Sequence, residues 1–420
     1  MNIAQITDNY IPKLGGINII MVNVRNQLAK LGENVYVFNS TYDKEDEFCY
    51  KVLSEKKILK NLLTQGLKFY IFILVLFFKI TFSFKGIKFM DKLKLAFFYC
   101  FYPKLLIDRI ISIKNTVSLF KKCKINIILS GSAYRPLIYS FILSKWFKIP
   151  MTTYAHGEDY LKRLPFKVNT IMLQNIENII VSNKIMKDLL LKIHKVDPVK
   201  INIIHYGVDI EKSEVKETVS QLRAKYNIPE NDFIILTVSR LYPRKGFETV
   251  LKAVKLIVDE NPNIPIKYYI IGSGEEERRI RKLVDDLNLK NIVKLLGRID
   301  GNPKNEYYKL SDLFILVPEI KNNSIEGFGI VYIEANYFKL PVIGARSGGV
   351  KVAIEDGKTG FLIKSKDDVS LKEKIMELFN NENLRHNLGE YGHKRVIDLF
   401  DWKKNVTIIR DLLQNTIEKY

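Results

Sequence analysis

Cysteine is scarce: Cys49, Cys100 and Cys123 are the only three in 420 residues. Their spacing fits neither a disulfide framework nor a zinc site, and predicts a reducing compartment. The opening stretch, MNIAQITDNYIP, lacks a basic n-region and an apolar h-region, so no secretory signal is expected and a cytoplasmic protein is predicted. Glycine, at 22 residues without a fixed period, excludes collagen-like and repeat architectures. Long polar tracts are missing and aromatics reach 11%, which excludes disorder as the main state. A spanning helix is disfavoured too. The uninterrupted apolar run within 67–84, Phe69 to Phe78, is ten residues, against the roughly 20 that cross a bilayer.

Acidic residues are also in deficit, 46 against 66 Lys plus Arg, giving a net charge of +20. The imbalance is local. Residues 1–210 hold 31 basic and 15 acidic side chains, so 31 − 15 = +16, whereas 211–420 hold 35 and 31, so 35 − 31 = +4. Within 51–124 the ratio is 16 to 3, or +13, interleaved with Phe, Tyr, Ile and Leu. A lysine-rich proteome would not confine its excess to one half. Such a field attracts an anionic partner, either an acidic membrane surface or nucleic acid. On a helical projection of 67–84 and its approach, Lys57, Asn61, Gln65, Lys68 and Lys79 form one polar stripe, broken by Phe72 and Val75, beside a wide apolar face. That pattern fits a helix lying in a membrane interface; a helix packed on the N-terminal sheet fits it equally.

Apolar runs alternate with helical patterns along most of the chain. Strands are predicted at 2–8, 34–40, 125–130, 151–157, 178–183 and 201–209, then at 233–241, 266–274, 292–298, 313–319, 341–345 and 360–363. Amphipathic stretches at 17–31, 135–148, 184–196, 247–260, 275–289, 330–339 and 368–380 separate them. Alternation of this kind means βαβ units and parallel sheets buried on both faces. Two sets joined by a polar segment at 210–230 predict two doubly wound, Rossmann-like α/β domains, with ligands outside the carboxyl ends of the strands.

The most specific stretch is SIEGFGIVYIEANYFKLPVIG, 324–344. Gly327 and Gly329 let backbone approach a ligand, and a helix starting near Ile330 offers N–H groups and a positive dipole end to a phosphate. Glu326 lies in the loop and Glu334 about one turn into the helix, so two carboxylates flank a phosphate-binding turn and suit hydroxyl recognition. Metal chemistry finds no support: Asp285-Asp286 and Asp367-Asp368 are not Asp-x-Asp pairs at a strand end, and no His/Cys cluster has zinc spacing. GSGEEE (272–277) reads as a tight turn rather than a dinucleotide fingerprint, since acids follow its glycines.

This block resembles the signature of the family 4 (group 1) retaining glycosyltransferases. The other family blocks follow in order: PKLGGINII (12–20), His156-Gly157, HYGVD (205–209), SRLYPRKGFE (239–248), IGSGEEE (271–277), LLGRI (295–299) and GGV…EDGKTGFLI (348–363). The resemblance implies the GT-B fold, two domains facing each other across a cleft. It implies an acceptor-binding domain at 1–205, a nucleotide-sugar domain at 206–400 and a final helix, 401–420, packing back on the junction. It also assigns roles. Arg240 and Lys245 would neutralise the diphosphate and stabilise the leaving group; Glu326 would contact the transferred sugar, and Glu334 the ribose hydroxyls. Gly15 and Gly16 would approach the phosphates, as would the Gly327, Phe328, Gly329 and Ile330 turn, and Arg298 would lie at the base. His156 would sit near the donor sugar's reacting end, with Asp8 and Glu158 as further candidates to line the cleft.

Departures from the family pattern fall at Phe338-Lys339-Leu340, Lys351-Val352 and His205-Tyr206. None removes a diphosphate or ribose ligand. The expected activity is metal- and cofactor-independent transfer of a hexose-type sugar from a UDP- or GDP-linked donor to a glycan or glycolipid acceptor. The protein is expected to lie peripherally on the inner face of the cell membrane, held there through 51–124, with no nucleic-acid partner. A nucleotide-sugar epimerase on the same architecture is the alternative. A basic nucleic-acid-binding protein would leave the Glu326–Glu334 block unexplained.

Overall fold

A computed structural model of the chain describes residues 1–7, 16–39, 81–82, 87–101, 119–161, 164–320 and 325–420. They form two compact units, one of Met1–Ile204 with Val406–Tyr420 and one of His205–Asn405.

The first unit is built on a parallel six-stranded sheet: β1 (Asn2–Thr7), β2 (Asn34–Asn39), β3 (Ile127–Ser130), β4 (Met151–Ala155), β5 (Asn178–Val181) and β6 (Ile201–Ile203), in the order β2-β1-β3-β4-β5-β6. Residues of β3 and β4 are buried throughout, as both-face burial of a parallel sheet requires. Ile3 lies opposite Ile127, and Ile128 opposite Met151. The helix Arg135–Phe147 opens with a proline in its first turn and buries Pro136 through Ser144, so it reads as apolar almost all round. Because β2 lies on one side of β1 and β3 on the other, the chain reverses its direction across the sheet at β1/β3.

The second unit repeats the plan with β7 (Phe233–Val238), β8 (Ile266–Ile271), β9 (Val293–Gly297), β10 (Leu313–Leu316), β11 (Val342–Ala345) and β12 (Gly360–Ile363), in the order β12-β11-β10-β7-β8-β9. Its reversal falls at β7/β10. The helix Phe247–Glu260 buries Phe247, Val250, Leu251, Val254 and Ile257, the i, i+3, i+4 spacing of one face. The helix Glu382–Leu399 comes close enough to the Ile330–Tyr337 helix and the turn after it that a Cβ on its Gly389 would stand 2.0 Å from the Lys339 carbonyl.

The twelve strands of the described residues all coincide with runs legible in the sequence. The polar segment 210–230 is less of a linker than expected. It holds the helix Val219–Lys225, started by a Thr218/Gln221 capping box, and Arg223 anchors it by donating to the carbonyls of Pro229, Glu230 and Asp232 at 2.8–3.0 Å. The interfacial stripe of 57–79 lies outside the described residues. Of 51–124 the structure describes mainly the helix Phe89–Phe101, which the periodicity did not single out. No helix among the described residues is long and apolar enough to cross a membrane.

Candidate active site

In open α/β sheets, ligands bind beyond the carboxyl ends of the strands where the strand order reverses. In the second unit that point is β7/β10, and the loops that carry Lys245 and Glu326 meet there. The loop after β7 ends in a 3-10 turn, Pro243–Lys245, and passes into the Phe247 helix through Gly246 at φ 75°. A Cβ at Gly246 would stand 2.0 Å from the Val317 carbonyl oxygen, so only glycine lets this loop lie against the one after β10. Glu319 N–H donates to the Arg244 carbonyl at 2.8 Å, stitching the two together. The loop after β11 joins them. Gly349 N–H donates to the Glu326 carbonyl at 2.8 Å, and a Cβ there would stand 1.8 Å from the Gly327 carbonyl.

These contacts fix an ion triad. Glu326 Oε2 accepts from Lys245 Nζ at 2.6 Å and from Arg244 Nη1 at 3.0 Å, with all three side chains 11–15% exposed. Burial would raise the Glu326 carboxyl, but Lys245 and Arg244 outweigh it and lower the pKa to about 2. Burial also lowers Lys245, opposed by Glu326 and reinforced by Arg244. The 2.6 Å contact and the doubled positive charge favour an ionised carboxylate between two cations. Arg240, expected beside Lys245, stays outside the triad: it is exposed, with its guanidinium 4.6 Å from the Tyr242 ring centroid.

The turn Gly327-Phe328-Gly329 leads into the helix Ile330–Tyr337. Gly329, at φ 85°, caps it without a side-chain hydrogen bond. The Phe328 ring is 2% exposed and packs edge-on against Tyr206 and Phe400, so this residue anchors the loop and offers a ligand only its backbone. One turn along, Glu334 Oε1 accepts from Lys304 Nζ at 3.0 Å and Oε2 from the Tyr308 hydroxyl at 2.9 Å. Arg298, beyond β9, is half exposed and donates from Nε to Asp300 at 2.7 Å.

In the first unit, His156 follows β4 next to the β1/β3 reversal. Its Nε2 lies 2.8 Å from the Gly131 carbonyl, which can only accept, so Nε2 carries the proton. Gly131 in turn donates its N–H to the Ile6 carbonyl at 2.7 Å. The imidazole is 8% exposed and stacks on Tyr154 at 5.4 Å. Burial lowers its pKa, against Asp159 and the Gly131 carbonyl, so the ring is neutral at pH 7. Gly16 begins the first helix, Gly16–Lys30; Gly15, Asp8 and the Glu158 side chain lie outside the described residues. Among the described residues no group of three or more His, Cys, Asp or Glu is placed to hold a metal.

Sequence reasoning missed Arg244, Asp159, Lys304 and Tyr308. Arg244 had a signal, its adjacency to Lys245 in the same turn. Asp159 binds the backbone around His156: Oδ1 accepts from His156, Gly157 and Tyr160 N–H at 2.9–3.1 Å, and Oδ2 from Ala133 N–H at 2.8 Å. Lys304 and Tyr308 belong to the helix after β9, about 30 residues upstream of their partner, and nothing local marks them.

Cationic loops and carboxylates thus gather at the switch point of the second unit, and a buried histidine lies beside that of the first. The profile of Glycosyltransferase Family 4 matches residues 14–212 and that of the group 1 glycosyl transferases residues 219–395. An N-acetyl-alpha-D-glucosaminyl L-malate synthase of Bacillus anthracis is 30% identical over 276 residues, 64% of this chain and 69% of the relative. A GDP-mannose-dependent phosphatidylinositol monomannoside mannosyltransferase of Corynebacterium glutamicum is 29% identical over 213 residues, 50% of this chain and 55% of that protein, so the match spans about half of it. In fold, the chain resembles the sucrose-phosphate synthase of Thermosynechococcus elongatus (TM-score 0.73, 20% identity, 100% of both chains) and Anabaena HepE, solved with UDP (0.70, 16%, 99% and 100%). The chain belongs to the family 4, group 1 glycosyltransferases and has the GT-B fold.

Proposed function

We propose that the enzyme transfers a hexose-type sugar, with retention of anomeric configuration and without a metal, from a UDP- or GDP-linked donor to a lipid-linked or surface-polysaccharide glycan at the cytoplasmic membrane face. The observation that carries this reading is the Arg244–Lys245–Glu326 triad at the β7/β10 switch point. Two buried cations there supply the charge that a divalent ion would otherwise bring to a diphosphate leaving group. Arg240, on the same loop, adds a third. The bond from the sugar C1 to the diphosphate oxygen breaks, the acceptor oxygen bonds to C1 on the same face, and its proton passes to the leaving phosphate. His156 spends its Nε2 proton on the Gly131 carbonyl, and burial lowers its pKa, which makes it a weak base.

The donor classes are those in the names of relatives and neighbours: GDP-mannose for the corynebacterial enzyme and UDP for HepE. For the acceptor, the charge of 51–124 and the tip Lys88-Phe89-Met90, where Phe89 is 64% and Met90 61% exposed, support an anionic membrane surface. The Bacillus anthracis relative, whose name joins an N-acetylglucosaminyl group to malate, favours a second reading, a small anionic hydroxy acid acceptor.

Calorimetric titration without metal against UDP, GDP and ADP and their sugar conjugates tests the donor, with Lys245→Ala as control. Selective binding lost in the variant is expected; no binding to any of them refutes the reading. NMR of the product anomer decides retention, and transfer to lipid-linked glycans in anionic vesicles against free malate decides the acceptor. Isomerised nucleotide sugar without transfer would identify an epimerase instead. Replacing Lys68, Lys79, Lys85 and Lys88 with Glu is expected to abolish vesicle binding, and unchanged binding would discard the membrane role.

A further inference from the structure

A carboxylate has about four lone-pair sites, two on each oxygen. Among the described residues, each Glu334 oxygen has one partner: Lys304 Nζ at 3.0 Å on Oε1 and the Tyr308 hydroxyl at 2.9 Å on Oε2. One acceptor position per oxygen remains, side by side, the pattern that a vicinal diol fills with two O–H donors. We infer that Lys304 and Tyr308 are the positioning pair that makes Glu334 selective for an intact ribose diol. The inference rests on the nucleotide-donor reading above and adds which residues set its sugar selectivity.

The helix that carries both donors, and Tyr308 on it, are held in place, as a specificity element requires. They sit four residues apart on one face of the helix Asn302–Leu310. Tyr308 is fully buried, its ring parallel to Phe338 at 5.8 Å and near Phe314. Burial, with Glu334 nearby, raises its pKa well above 10, so the hydroxyl is a permanent donor. Phe338, one of the departures from the family pattern, thus serves as the wall against which Tyr308 rests. On the opposite face of the helix, Glu306 accepts from Lys225 Nζ at 2.6 Å and the Tyr226 hydroxyl at 2.7 Å, clamping the helix from behind. Lys304 and Glu334 are 21% and 19% exposed, open enough for a ligand to reach the carboxylate.

The test measures UDP, GDP and ADP against their 2′-deoxy counterparts by calorimetry, on the wild type, Tyr308→Phe, Lys304→Met and Lys304→Arg, with thermal melts in parallel. The wild type is expected to favour the ribonucleotide about tenfold, the worth of hydrogen bonding to a charged group. Tyr308→Phe and Lys304→Met should each erase most of that preference by weakening the ribonucleotide alone, and Lys304→Arg should keep it. A purely structural role would weaken both ligands equally. Wild-type preference retained in both Tyr308→Phe and Lys304→Met overturns the inference and leaves the donor reading intact, as does equal wild-type binding of both sugars. Absence of any nucleotide binding overturns the donor reading itself. If Tyr308→Phe fails to fold, the partly exposed Lys304→Met decides alone.

Discussion

Glu326→Gln separates what the ion triad does for the fold from what it does for the ligand. The carboxyl falls from 4.5 to about 2 in the folded unit, which corresponds to roughly 3 kcal/mol in favour of the charged form. Its folded pKa is depressed, so this stabilisation is present above pH 4.5 and is lost as pH falls from 4.5 toward 2. Lys245 works in the opposite sense, since burial outweighs its partner and keeping it charged carries a cost. The variant replaces the carboxylate with a neutral amide and leaves Arg244 and Lys245, 15% and 11% exposed, facing each other across it. Breaking a buried pair in this way costs about 3–5 kcal/mol. Taking the lower end, the second unit should melt roughly 6–12 °C earlier at pH 7. A diphosphate that binds these cations must displace or share them with Glu326. Nucleotide should therefore restore more stability to Glu326→Gln than it adds to the wild type, while transfer itself slows. Differential scanning calorimetry at pH 7 and pH 3, with and without saturating nucleotide, reads the two stability effects, and a product-formation assay reads transfer. An unchanged melt, or a ligand-induced shift no larger in the variant, would refute the placement of these cations under the diphosphate.

Gly349→Ala places a methyl 1.8 Å from the Gly327 carbonyl and should cost about 2–4 kcal/mol together with nucleotide affinity. Wild-type binding calorimetry would show that the two loops move independently. His156 has a lowered folded pKa, so the first unit should lose stability as pH falls below about 6.5; a His156→Asn variant should flatten that slope, and an equal slope in both discards the assignment. Asp159→Asn puts an amide N–H₂ among four backbone donors and should cost about 2–4 kcal/mol, with kcat falling more than KM changes; hydrogen exchange at Gly157 and Ala133 checks it. Arg223→Met removes donors from three carbonyls and from Asp312 and should destabilise the second unit by about 3 kcal/mol without altering nucleotide affinity per folded molecule, which titration at low temperature measures.

The strands were readable because a parallel sheet buried on both faces writes itself as continuous apolar runs: FIILTV in β7 is buried at all six positions. The candidate-site loop was readable because Glu326, Gly327 and Gly329 lie together in sequence. Pairings across the sheet were not. Arg240 and Lys245 look equivalent in SRLYPRKGFE, yet the 3-10 turn at Pro243 rotates Arg244 toward Glu326 and leaves Arg240 over Tyr242. Helical periodicity puts Lys304 and Tyr308 on one face but cannot say that this face meets Glu334. The helix Phe89–Phe101 was hidden for another reason: in a stretch so rich in aromatic and aliphatic residues, no polar stripe marks an outward face.

The two units solve the same problem with different chemistry. In the second, three loops from β7, β10 and β11 are joined through backbone contacts that tolerate no Cβ at Gly246 or Gly349. The charged side chains are thereby freed to pair with one another and, on the reading above, with a ligand. In the first, one buried carboxylate, Asp159, gathers four backbone N–H groups from the turns after β3 and β4, and the imidazole of His156 is fixed as a consequence. Glycine contacts set spacing without charge, whereas Asp159 spends its lone pairs on the backbone and offers little to a ligand. Substitutions at Gly246 or Gly349 should therefore disturb geometry and electrostatics together, because the triad spans the joined loops. A change at Asp159 should disturb geometry first, moving the turn that carries His156.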